Sequence, residues 1–106
     1  MEQNPLDRLF SVIESRRSAD AGQSYTALLL ARGRQQCARK VGEEAIETAL
    51  AAVTEDNAAV VRESSDLLYH LLVLWAACGI KPDEIYAELR AREAQSGLEE
   101  KAARGG

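Results

Sequence analysis

Histidine occurs once in this chain, and cysteine and proline twice each. One His, with no CxxC or Cys/His spacing, excludes the ordinary zinc sites. Cys37 and Cys78 are far apart in sequence and read as reduced core residues. Few prolines and few aromatics beside much Leu and Ala favour helix over sheet. No alternating strand pattern, internal repeat or low-complexity tract stands out. There is no basic excess either: 13 Lys and Arg face 17 Asp and Glu, a formal charge of −4. That balance makes a poor general binder of nucleic acid, although clustered bases can still hold a small anion. The longest apolar stretch, Leu67–Ile80, contains His70 and falls short of the roughly 20 residues of a membrane span. The N-terminus M-E-Q-N-P lacks a basic segment followed by an apolar run, so no signal peptide is expected. The reading is a soluble, cytoplasmic, single domain over residues 1–106, with a partly flexible tail from about residue 96.

What is present is helical punctuation. Asn4-Pro5 reads as an N-cap followed by Pro at the first helical position, opening a helix to about Arg17. Leu6, Leu9, Phe10 and Ile13 share one face of it. Ser24 caps a short second helix, Tyr25–Arg32, and Gly33 follows as its stop. A third helix runs from Arg34 to about Val53. Its apolar residues Ala45, Ile46, Ala49, Leu50 and Val53 fill one arc, and Lys40, Glu43, Glu44 and Glu47 the other. Gly42 lies inside this helix, where it costs roughly 1 kcal/mol relative to Ala. It is either a point of close approach or a tolerated glycine. After the turn Thr54–Asn57, a fourth helix from about Ala58 to Cys78 is apolar almost all round and ends at Gly79. Pro82 opens a fifth, about Asp83–Ala94, with Ile85, Tyr86 and Leu89 expected inside. Ser96-Gly97 closes it, and Leu98–Arg104 is expected to add a short helical piece.

The chemistry concentrates in Lys40–Asp66. K-V-G-E-E-A-I-E is followed by fifteen residues and then E-S-S-D. Glu44/Glu47 and Glu63/Asp66 are i,i+3 pairs, so each puts two carboxylates on one helix face. Like charges so placed destabilise a helix by roughly 0.2–0.5 kcal/mol per pair. Glu63, Asp66 and His70 share a face of the apolar fourth helix, where unpaired carboxylates are costly. If the third and fourth helices are antiparallel about residues 54–57, Glu47 and Glu63 meet at one level. Four converging carboxylates without His or Cys suit a hard cation such as Mg²⁺, which bridges to phosphates. No Glu-x-x-His motif supports a di-iron site. A spare carboxylate can take a proton from water. Lys40, one turn before Glu44, with Arg32, Arg34 and Arg39 close in sequence, is placed to hold phosphates.

E-E-x-x-E followed by E-x-x-D resembles the all-α nucleoside-triphosphate pyrophosphohydrolase (MazG-like) superfamily. S-Y-T-A-L-L at Ser24–Leu29, R-K-V-G-E-E-A-I-E-T-A-L-A-A at Arg39–Ala52 and E-S-S-D-L-L-Y-H-L-L-V-L at Glu63–Leu74 narrow the resemblance. They match the phosphoribosyl-ATP pyrophosphohydrolase family of histidine biosynthesis, as does S-G-L-E-E-K-A-A-R at Ser96–Arg104. The resemblance implies Mg²⁺-dependent hydrolysis of phosphoribosyl-ATP to phosphoribosyl-AMP and pyrophosphate, the second step of that pathway. It implies Glu44, Glu47, Glu63 and Asp66 as metal ligands and Glu43 and Glu44 as catalytic carboxylates, with Glu43 either an outer-shell group or a base. It implies Lys40, Arg34, Tyr25, Thr26, His70 and Arg90 as substrate contacts. It further implies an all-α bundle of about five helices, its four-helix core completed in a homodimer. The alternatives are a house-cleaning pyrophosphohydrolase acting on another nucleoside triphosphate and, from a different class, a non-enzymatic helical dimerisation module.

Overall fold

The computed structural model describes residues 3–94. Five helices follow one another: α1 (Pro5–Ser15), α2 (Tyr25–Arg32), α3 (Arg34–Thr54), α4 (Asn57–Cys78) and α5 (Pro82–Glu93). No strand occurs among the described residues, so the fold is all-α. α1 ends before Arg17 because its last turn tightens: Arg16 and Arg17 donate to Ile13 and Glu14, three residues back. Ser96-Gly97 and the expected piece at Leu98–Arg104 lie outside the described residues.

The capping residues act as the sequence suggests. Asn4, Ser24 and Asp56 each accept a backbone N–H three residues on, at 2.8, 3.1 and 3.0 Å. At α5 the Glu84 carboxylate accepts the Lys81 N–H at 2.9 Å. Gly79 ends α4 in the left-handed region (φ 74), which leaves Ile80 N–H free to bond Trp75 O at 2.9 Å. Arg17 donates to the Ala76 carbonyl, one of the groups α4 leaves open at that end.

α3 and α4 form an antiparallel hairpin and the largest internal interface. α1 and α2 close one end of it, and α5 packs on α1. The core gathers Phe10 and Ile13 of α1, Leu29 of α2, Cys37 of α3, and Leu72, Val73 and Ala76 of α4. Both cysteines are free; Cys37 is buried and donates its thiol to Leu29 O at 3.3 Å, while Cys78 is half-buried. Tyr86 reaches back from α5 to donate to Asp7 at 2.9 Å.

Two side-chain expectations are corrected, and one side left open by periodicity is decided. Leu89 of α5 is exposed rather than inside, because α5 meets the rest of the chain mainly through α1. The apolar arc of α3 points outward: Ile46, Leu50 and Val53 are 63, 53 and 78% exposed. The buried side of α3 carries Cys37, Glu44 and Ala51 instead, and Glu47 is exposed. Consequently the buried carboxylate is not on the apolar helix α4, where Asp66 is exposed and Glu63 half-buried. It is Glu44 on α3, 8% exposed.

Candidate active site

The α3–α4 hairpin sets the level of the acids. The Thr48 hydroxyl lies 2.8 Å from Glu44 O on its own helix and 3.1 Å from Glu63 O across the hairpin. That contact holds one turn of α3 against one turn of α4. Glu44, Glu63 and Asp66 then bring one carboxylate oxygen each within 4.8 Å of one another. Glu47 stands outside this trio, but its charge bears on both Glu44 and Glu63. Glu44 Oε1 lies 3.9 Å from Lys40 Nζ and 3.8 Å from His70 Nε2. Glu44 Oε2 is buried and has no hydrogen-bond partner among the described residues. A buried carboxylate oxygen left open beside two more acids is what a hard, oxygen-seeking cation would fit.

The protonation pattern follows from burial and crowding. Burial, then the neighbouring Glu47 and Asp66 against the opposing pull of Lys40, pushes Glu44 up to about 7. Desolvation, then Glu47 and Asp66, also raises Glu63. His70 is lowered, first by burial and then by the Lys40 charge, which favours neutral imidazole. Lys40 is raised, chiefly by its bond to Glu43, and Glu43 is lowered by the same bond. Glu43 accepts from both Arg39 and Lys40 at 3.2 Å. It therefore stands outside the acid trio, as the group that ties two bases together.

One wall of the site is aromatic. Tyr25 and Tyr69 stack with centroids 6.5 Å apart, and His70 meets them edge-on at 6.0 and 4.9 Å. Thr26 and Tyr69 share a hydrogen bond between their hydroxyls. Of the sequence candidates, Lys40 and His70 approach the trio at Glu44, Tyr25 stands behind the His70 ring, and Thr26 is tied to the wall through Tyr69. Arg34 and Arg90 do not. Arg34 begins α3, ten residues before Glu44 and roughly 15 Å along the axis. Arg90 lies on exposed α5, which packs on α1. Two contributors are absent from the sequence reading. Thr48 carries no periodic signal; only its spacing of four after Glu44 hints at a backbone bond. Tyr69 reads as core, yet its hydroxyl meets Thr26.

A sequence model of the family described as Phosphoribosyl-ATP pyrophosphohydrolase matches residues 6–93. Similar proteins are named phosphoribosyl-ATP pyrophosphatase. That of Parvibaculum lavamentivorans is 63% identical over 100 residues, covering 94% of this chain and 92% of its own. That of Azorhizobium caulinodans is 58% identical over 99 residues, 93% of this chain and 91% of its own. That of Paramagnetospirillum magneticum is 52% identical over 99 residues, again 93 and 91%.

Proposed function

Since the chain belongs to the phosphoribosyl-ATP pyrophosphohydrolase family, we propose that it hydrolyses phosphoribosyl-ATP to phosphoribosyl-AMP and pyrophosphate, the second step of histidine biosynthesis. The observation that carries this reading is the convergence of Glu44, Glu63 and Asp66 around the unpartnered Glu44 Oε2. Glu44, Glu63 and Asp66, with Glu47 beside them, would hold Mg²⁺. Mg²⁺ supplies charge neutralisation along the phosphate chain and acidifies the attacking water. The water oxygen bonds to the α-phosphorus, the bridge to the β-phosphate breaks, and pyrophosphate leaves. A carboxylate takes the proton, with Glu44 and Glu43, which stands outside the trio, as the candidates. Glu43 holds Lys40 toward Glu44, which places an ammonium where phosphate charge would gather. His70 backs Glu44 from α4, and Tyr25, half exposed, offers a ring beside it.

The fold is proposed to work as one domain and as a homodimer. The outward row Ile46, Leu50 and Val53, with Val61 and Leu68 of α4, is more apolar surface than an isolated hairpin should show. A second copy would cover it. No helix among the described residues is long and apolar enough to cross a membrane. Two free thiols fit a reducing cytoplasm. Pyrophosphate release from phosphoribosyl-ATP, with and without Mg²⁺, tests the function. Release only with Mg²⁺ supports it. Equal or faster turnover of other nucleoside triphosphates would favour the house-cleaning reading.

A further inference from the structure

The substrate proposed above carries phosphate at two ends. One end is the triphosphate that is cut. The other is the phosphate of the added ribosyl group, separated from it by a base and two sugars. The acid cluster and Lys40 account for the first end and leave the second without a seat.

An open surface hollow of about 540 Å³ lies beside the first turns of α3, lined by the exposed Arg32, Gln35 and Arg39 and the half-buried Gln36. Its lining holds two guanidinium groups, two carboxamides and no carboxylate. Two further cavities, of about 200 and 50 Å³, lie against α1 and Lys81 and take no residue of α3. Arg32 is exposed and has no ion-pair or hydrogen-bond partner among the described residues. Arg39 uses Nε for Glu43, which leaves both terminal amino groups turned to other use. The cavity is joined to the acids by a continuous charge chain. Arg39 meets Glu43 at 3.2 Å, Glu43 meets Lys40 at 3.2 Å, and Lys40 approaches Glu44 at 3.9 Å. Arg39 and Gln35 lie five and nine residues before Glu44, roughly 8 and 14 Å along the helix and about 140 and 180° round it, so the route between them turns round α3. A molecule anionic at both ends, with a base and two sugars between them, is long enough to join the two.

We propose that the cavity between Arg32 and Arg39 seats the distal ribosyl phosphate. These two arginines then separate phosphoribosyl-ATP from a plain nucleoside triphosphate, while the carboxylates act on either. The planar guanidinium suits this task, because it offers paired donors to phosphate oxygens, and Gln35 and Gln36 add neutral donors for the sugar hydroxyls. The inference rests on the proposed substrate, but the cavity can be tested without it.

The first test is a titration of the full chain with ribose 5-phosphate in the absence of Mg²⁺, followed by NMR. Saturable shifts in the Gln35 and Gln36 side-chain amides are expected for the natural chain, and their loss in Arg32→Gln. No saturable shift in the natural chain overturns the proposal, whatever the enzyme acts on. The second test compares kcat/KM for phosphoribosyl-ATP and for the same compound with its ribosyl phosphate removed. Arg32→Gln should lower the first by roughly 10–100-fold, mainly through KM, and add little to the loss on the second. Arg32→Lys should restore part of the loss. Equal losses on both compounds place Arg32 on the triphosphate and overturn the assignment. If the natural chain does not turn over phosphoribosyl-ATP at all, the proposed function fails, and the titration alone decides the cavity.

Discussion

Glu44 occupies the position in the chain least suited to a negative charge. It is buried, it faces other carboxylates, and one of its oxygens has no partner. Its raised pKa has a definite sign for stability. The folded state holds a proton that the unfolded state releases near the ordinary carboxyl value of 4.5. Its contribution is therefore fully present below about 4.5 and is lost as pH rises through about 7. Metal-free protein should lose thermal stability across that window. Glu44→Gln should remove this decline, and Mg²⁺ should reverse it in the natural chain. Thermal melts at stepped pH, with and without Mg²⁺, read all three. The same substitution should cut turnover by more than about 100-fold, since changes even one shell beyond a ligand cost 10–100-fold. Full activity in Glu44→Gln would remove the carboxylate from the chemistry.

At the scale of the element, α3 and α4 matter as a pair. Thr48→Val keeps the shape of the side chain and deletes the hydroxyl that touches both helices. We expect about 1 kcal/mol of lost stability, a Tm drop of roughly 4–8 °C, and weaker Mg²⁺ binding measured by calorimetry. An unchanged Mg²⁺ affinity would show that turn packing alone sets the level of the acids. The helices themselves were legible in the sequence because their signals are local. Asn4, Ser24, Asp56 and Gly79 act on backbone groups a few residues away, so position along the chain suffices to read them. The meeting of Glu44 with Glu63 and Asp66 was legible for a related reason: a short turn fixes the antiparallel level of two helices. The inside and outside of α3 were not. Periodicity separates an apolar arc from an acidic one but does not say which arc the rest of the chain covers. Here the covered side is the one that carries Cys37, Glu44 and Ala51, and the larger apolar side chains are left outside. Thr48 and Tyr69 were hidden because their partners, Glu63 and Thr26, lie 15 and 43 residues away.

For the whole molecule, the outward apolar row is where the proposed homodimer would form. The radius of gyration is 16.0 Å, against about 13 Å for a compact chain of 100 residues. That extension fits half of a larger bundle. A central charge in the row tests this: Leu50→Glu should give monomers by sedimentation and a lower Tm, whereas Glu55→Gln, beyond the helix end, should change neither. Gly42 lies on the same outward side, and a side chain built there meets nothing within 4 Å among the described residues. A neighbouring helix would find room at that point. α3 carries the acids on one side and the apolar row on the other, so it is one rod serving two purposes. If the row is uncovered, the rod is free to tilt, and the trio loosens with it. On the proposed homodimer, catalytic output would then rise more steeply than in proportion to the amount of chain present, because two copies would first have to find each other. A cell that makes little of this protein would run the step disproportionately slowly, and modest increases in synthesis would be amplified at the level of flux.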